Sequence, residues 1–92
     1  MRAIKIMMKN ETPNSNNPKD IISFYIENES GRIEEYKIEK LYDMLIENSH
    51  RRIFVNNSMS YLIPVCSMNG QKYVRSLPNN NTLDEIMKLP RC

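Results

Sequence analysis

The sequence predicts a small α+β domain: an antiparallel sheet of five or six short strands packed on one central helix, with a C-terminal helical turn. Residues 2–9 and 21–28 alternate between apolar and polar side chains, as half-buried strands do. Apolar residues then recur with helical spacing over residues 38–46. An Asn69-Gly70 pair marks a β-hairpin in the second half. At this length we expect residues 1–92 to form a single domain.

The first strand is followed by an unusually polar segment. Alternation over residues 2–9 places Ile4, Ile6 and Met8 on one side of the strand. Residues 10–20 then contain two prolines, four asparagines and no apolar side chain. Such a segment buries too little surface to order itself, so we predict a mobile, inserted loop within the domain.

A hairpin and a helix complete the first half. Residues 21–28 and 32–37 predict two paired strands, with Gly31 supplying a positive φ in the turn between them. The helix is predicted to end near Asn48 and, being short, to require packing against the sheet. Its apolar stripe has the spacing i, i+3, i+4, i+7, i+8: Ile38, Leu41, Tyr42, Leu45 and Ile46.

The second half predicts three more strands. Residues 53–55 and 61–66 flank a turn at residues 56–58, whose asparagines tolerate the left-handed conformation. Asn69-Gly70 then joins residues 61–66 to a strand over residues 72–76. Pro64 has no amide proton, so its strand is predicted to lie at an edge or a bulge.

The tail predicts a short capped helix. Thr82 and Glu85 have the spacing of a capping box, in which each side chain can accept from the other residue's amide. Ile86 and Leu89 would anchor this turn to the core, and Pro90 would end it.

The tail also resembles the signature of a known family. Its residues are Tyr73-Val74-Arg75-Ser76, a polar turn, Thr82, Asp84, Ile86 and Leu89-Pro90-Arg91-Cys92. This pattern is similar to the ending of a family of small bacterial proteins with no assigned function: Tyr-Leu-Arg-Thr, an Asp-containing turn, Asp-Asn-Leu-Leu and Leu-Pro-x-Cys. The resemblance covers roughly residues 20–92 and is strong over residues 70–92. Asn79 and Glu85 depart from the family, which has aspartate and asparagine there.

Composition limits the compartment and the chemistry. No apolar run approaches the roughly 20 residues that span a bilayer, and Lys5 and Lys9 interrupt the only stretch that resembles a signal peptide. We therefore expect a cytoplasmic protein in which Cys66 and Cys92 are reduced, although a bridge between them stays open. With two cysteines and His50 as the only histidine, the chain has too few ligands for a closed four-ligand zinc site.

No catalytic constellation or cofactor motif stands out. A dyad of Cys66 and His50 is formally possible, but no motif supports it. The chain has only two glycines, so it has no glycine-rich phosphate loop. We predict a non-enzymatic protein without a cofactor or a metal.

Basic residues form the candidate site. Residues 1–47 carry a net charge of −2, from seven Lys/Arg and nine Asp/Glu, and residues 48–92 carry +4, from six and two. If the sheet brings the lysine and arginine side chains of the second half together, they could bind a phosphate or a carboxylate. Simpler roles also exist: Arg51 and Arg52 could cap the helix dipole, and Arg75 could pair with Asp84. The predicted ligand-binding residues are Arg51, Arg52, Arg75, Lys72, Tyr73 and His50.

Two classes of function fit these features. The first is a binding module that inhibits or sequesters a host protein or a small anionic ligand, as accessory proteins of phages and mobile elements often do. Such a module could also form a homodimer through an open sheet edge. The alternative is a minimal nucleic-acid-binding protein that uses the basic C-terminal half. The bases of a bound nucleic acid would stack on Tyr25, Tyr36, Tyr61 and Tyr73.

Overall fold

The computed structural model describes residues 1–48, 52–77 and 84–91, and it confirms the α+β fold class. The described part of the chain contains six strands, one α-helix and two short 3-10 turns, Pro18–Asp20 between the first two strands and Glu85–Lys88 after the last. The main elements are β1 (Arg2–Met8), β2 (Ile21–Glu27), β3 (Ile33–Lys37), α1 (Ile38–Glu47), β4 (Phe54–Val55), β5 (Tyr61–Cys66) and β6 (Lys72–Leu77).

The strands form one mixed sheet in the order β3-β2-β1-β4-β5-β6. Four of the five strand pairs among the described residues are antiparallel, as predicted, and the sheet is mixed because β4 runs parallel to β1, with Arg2 opposite Phe54. The hairpin β1-β2-β3 makes β3 parallel to β1, and therefore to β4. Two parallel strands need a crossover connection, and α1 provides it. The helix therefore carries the chain from one end of the sheet to the other side of β1.

The helix packs on β5 and β6 through a narrow apolar face. Leu41 and Leu45 are buried, as predicted, whereas Ile46 is 55% exposed. Strand β1 also departs from its predicted alternation, because its register with β2 shifts between Ala3 and Lys5. Ala3 is consequently buried and Ile4 is only half-buried.

The turns follow the predicted chemistry. Gly31 and Gly70 have φ values of 86° and 87°, and Asn57 has a φ of 61°. In the β5–β6 turn the Gly70 amide donates to the Ser67 carbonyl at 3.0 Å. Each of these positions lies in the left-handed region, which explains why glycine or asparagine occupies it.

Pro64 lies where β5 has lost its neighbour. The Leu62 amide donates to the Ile53 carbonyl at 2.9 Å, so even-numbered amides of β5 face β4. Strand β4 pairs with β5 only at Phe54 and Tyr61. The nitrogen of Pro64 therefore points past the end of β4. The prediction that its strand lies at an edge or a bulge is wrong for the strand as a whole, because β5 lies between β4 and β6 and pairs with β6 without a register shift.

Residues 90 and 91 of the tail are bonded to this framework. The Ile6 amide donates to the Pro90 carbonyl at 2.9 Å, which adds residues 90–91 alongside β1. Arg91 Nη1 donates to the Pro13 carbonyl at 2.9 Å, so the tail also contacts the loop over residues 10–20. The mobility of that loop stays a prediction.

Asp84, rather than Thr82, caps the described C-terminal turn. The Asp84 carboxylate accepts from the Ile86 amide at 3.1 Å. Thr82 lies outside the described residues, and so does the predicted capping-box bond. Ile86 and Leu89 are buried, which confirms their role as anchors.

Candidate functional site

The predicted site residues do not share one surface. Lys72 and Arg75 lie on opposite faces of β6, because successive strand residues alternate between faces. Lys72 lies on the helix side, with its ammonium group 5.1 Å from the centre of the Tyr42 ring. Tyr73 and Arg75 point to the other side. His50 and Arg51 lie outside the described residues.

Six side chains form a continuous surface on the side of the β5–β6 hairpin that faces away from α1. Cross-strand pairing places Tyr61 opposite Leu77, and Ile63 opposite Arg75. All six are half-buried, in contrast to Leu62 and Val74 on the helix side, which are buried. We call this surface the outer face, and its members are Tyr61, Ile63, Val65, Tyr73, Arg75 and Leu77.

Arg75 is the central charge of the outer face, and it lacks the partner predicted for it. The Asp84 carboxylate accepts instead from the backbone amide of Ser76 at 3.2 Å and from its hydroxyl group. Ser76 faces the core, so Asp84 lies on the opposite side of the strand from Arg75. Among the described residues no acceptor bonds the buried Arg75 Nε. Arg75 also makes no ion pair among the described residues, so the terminal N–H groups of its guanidinium group are the donors that an anion on the outer face would meet.

Two further cations lie against the rings of the outer face. The Arg52 guanidinium group is 4.1 Å from the centre of the Tyr61 ring, and the Lys19 ammonium group is 5.5 Å from that of Tyr73. Such cation–π contacts fix a positive charge beside an apolar surface. The same contact occurs at Tyr25, Tyr36 and Tyr42, where the cations are Lys5, Lys40 and Lys72.

The acidic residues of the sheet lie on β2 and β3, where Arg32 and Lys37 form ion pairs with Glu34 and Glu35. No Asp or Glu occurs between Glu47 and Asp84 in the sequence, so β4, β5 and β6 contain no acidic residue. At the β3 end, by contrast, Glu35 accepts from the Ser23 hydroxyl at 2.7 Å and from the Lys37 ammonium group at 3.2 Å. These bonds, the first most strongly, lower the pKa of the Glu35 carboxyl group. None of the four ion pairs among the described residues includes Arg52, Arg75 or Lys19.

A cleft of about 290 Å³ opens beside the outer face. It lies between Leu45 and Ile46 of α1 and residues 61–64 of β5, and Arg52 also lines it. The cleft exists because β4 ends early and leaves this stretch of β5 without a neighbour. A wider hollow of about 590 Å³ lies near Met1, Phe54 and Met59, the last of which is 85% exposed.

The sequence singled out Tyr61, Tyr73 and Arg75 of the outer face. It did not indicate Ile63, Val65, Leu77 or the cleft beside Ile46. Residues 61–65 are apolar throughout, so the sequence did not indicate which of them would share a face of the strand. Relating that face to Arg75 required the β5–β6 register, which only the structure supplies.

The described residues contain no group of three or more His, Cys, Asp and Glu side chains that could hold a metal ion. Cys66 is a free, exposed thiol, while Cys92 and His50 lie outside the described part, so the disulfide and the dyad stay untested. No helix in the described ranges is long and apolar enough to cross a membrane.

Comparison with models of protein families, with curated proteins and with solved structures finds no match to this chain. The similarity of the tail to the bacterial family therefore stays a prediction, and the candidate site rests on geometry and charge.

Proposed function

We propose that this chain is a small, non-enzymatic binding module that holds an anionic partner on its outer face. The observation that carries the proposal is Arg75: its Nε is buried without a described acceptor, at the centre of a half-exposed aromatic and aliphatic surface. Arg52 and Lys19 add positive charge at Tyr61 and Tyr73. Interfaces commonly combine aromatic anchors with arginine in this way.

The partner we propose is an acidic segment of another protein. In a cytoplasmic accessory protein of a phage or a mobile element, such capture would inhibit or sequester a host protein. A small anionic ligand would use the same arginine, but the outer face is an open surface, whereas small-molecule sites are concave.

Nucleic-acid binding is the weaker candidate. Tyr25, Tyr36, Tyr61 and Tyr73 each have a cation of this chain near the ring, so a base would have to displace it or stack on the other side. The proposal of a homodimer concerns a different place. The open edge of the sheet is β3, since Asp84 bonds the amide of Ser76 in β6 at the opposite end.

The test compares two variants with the same change in charge, Arg75→Gln and Lys72→Gln. The probe is a hexaglutamate peptide, titrated into the ¹⁵N-labelled protein and followed by NMR. We expect Arg75→Gln to weaken binding about tenfold, since a hydrogen bond to a charged group contributes roughly 1.5–3 kcal/mol. Lys72→Gln, on the helix side, should change it less than about threefold.

An equal loss of peptide affinity in the two variants would mean that only the net charge of the protein matters, and this would contradict the proposal. The absence of peptide binding would also contradict it. Hexathymidylate and inorganic phosphate serve as comparison ligands. Tighter binding of the oligonucleotide, with a steep loss of affinity on adding salt, would instead establish the nucleic-acid alternative.

A further inference from the structure

From its lining and its neighbours, we infer that the cleft beside β5 is an anchor pocket that takes one aliphatic side chain of an acidic protein segment. This inference rests on the proposed function and specifies which side chain of the partner the protein would recognise. The cleft lies next to the outer face through two shared residues, Tyr61 and Ile63.

The lining of the cleft is suited to an apolar group. Leu45 and Leu62 are buried, and Ile46 stands 55% exposed on the helix. Leaving a large aliphatic side chain in water forgoes the stabilisation that burial would give, and a partner that covers Ile46 recovers it. The volume of about 290 Å³ is ample for one aliphatic side chain and is at the lower limit of small-molecule pockets.

The occupant is not an added β-strand. An extra strand would have to pair with the edge of β5 that β4 leaves open, and Pro64 removes a donor from that edge. Proline is one of the devices that protect exposed edges from pairing. The occupant must therefore bind through its side chains.

The charges around the cleft indicate what flanks that side chain. Arg52 lines the cleft and is held on the Tyr61 ring, while Arg75 lies directly across from Ile63 on β6. Arg52 at the cleft and Arg75 on the adjoining outer face, in a stretch of sequence without acidic residues, complement carboxylates on the segment that carries the aliphatic residue. The occupant is thus an aliphatic residue of an acidic segment.

The experiment uses two peptides and two matched variants of the whole chain. The peptides are Asp-Glu-Leu-Glu-Asp and Asp-Glu-Gly-Glu-Asp, and the measured quantity is the ratio of their affinities by NMR titration. The variants are Ile46→Ser in the cleft and Ile33→Ser at the β3 end, where Ile33 is exposed to a similar extent, 50% against 55%. Because both side chains are largely exposed, both variants should fold, and urea unfolding verifies this.

We expect the leucine peptide to bind the natural chain about tenfold more tightly than the glycine peptide, which corresponds to burial of one aliphatic side chain. The ratio should persist in Ile33→Ser and fall below about threefold in Ile46→Ser.

Other results would overturn the inference in distinguishable ways. Equal affinities of the two peptides, with the dependence on Arg75 intact, would remove the anchor pocket and leave the proposed function. If neither peptide binds, both are wrong. Self-association that Ile46→Ser abolishes, without peptide binding, would assign the cleft to a second copy of the chain.

Discussion

Asp84 shows how one side chain can join the tail to the sheet. Its buried carboxylate accepts from the amide and the hydroxyl group of Ser76 and from the amide of Ile86. Asp84→Ala would leave these buried donors without an acceptor, so we expect a loss of about 2–3 kcal/mol in the free energy of unfolding, measured with urea. Lys88→Ala removes only the exposed pair with Glu85 and should cost less than about 1 kcal/mol. Equal losses would contradict a structural role for the buried carboxylate.

The residues that Asp84 and Arg75 contact could not be predicted from their charges alone. The sequence suggested that they pair with each other, because opposite charges recur together in the tail signature. Whether they can meet depends on which face of β6 each one approaches. Val74 and Ser76 are buried and Arg75 is not, but the apolar residues of this strand fall on both faces and give no clear alternation. The side of Arg75 was therefore unpredictable without the register.

The β5–β6 hairpin, which carries the outer face, depends on its turn. Gly70 has a φ of 87°, and no atom within 4 Å would meet an added Cβ. Gly70→Ala should therefore cost only the backbone penalty of the left-handed region, roughly 1–2 kcal/mol in the free energy of unfolding. Gly70→Asn should cost less, because asparagine tolerates this conformation.

Gly31→Ala provides the matched comparison for this prediction. Its φ is 86° and its surroundings are equally open, so its cost should be close to that of Gly70→Ala. Urea unfolding of the three variants measures these differences. A neutral Gly70→Ala would mean that the turn relaxes to a conformation without a positive φ.

Elements set by local patterns were predictable, and those set by long-range pairing were not. The β2–β3 and β5–β6 hairpins and α1 follow from alternation, turn residues and helical spacing within short windows. The parallel β1–β4 pair joins residues more than fifty positions apart and involves only two residues of β4. A strand of two residues has no periodicity of its own. Its pairing with β1 follows from the position at which the chain returns to the sheet after α1.

At the scale of the whole molecule, the strand order places the acidic residues of the sheet on β2 and β3 and leaves β4, β5 and β6 with none. Glu34 and Glu35 lie on β3 at one end of the sheet, and Arg75 lies on β6 at the other. Charge halves along the sequence predict nothing by themselves, since an interleaved sheet would mix them. The two cations of β4, β5 and β6, Lys72 and Arg75, lie on opposite faces of β6, so Arg75 alone brings positive charge from these strands to the outer face. Arg52 and Lys19 add to it there, and the acidic partner that we propose rests on these three cations.

Arg91 links the C-terminal tail to the loop over residues 10–20, which lies far from it in the sequence. Its guanidinium group donates to the carbonyl oxygens of Pro13 at 2.9 Å and Met87 at 3.2 Å. Arg91→Ala should release the loop while leaving the backbone bond from Ile6 to Pro90 in place. We expect amide hydrogen exchange at Ser15 and Asp20 to accelerate about tenfold, the effect of losing roughly 1.4 kcal/mol of local stabilisation.

Arg91→Lys is the control for charge in this experiment. It keeps the positive charge but not the planar fork that reaches two carbonyl groups at once, so it should accelerate exchange nearly as much as alanine. Unprotected Ser15 and Asp20 amides in the natural chain would show that the loop is mobile despite the contact, as the composition of residues 10–20 predicts. Protection that survives Arg91→Ala would instead assign the order of the loop to its own bonds, such as that between the Ser15 hydroxyl and Asp20 at 2.6 Å.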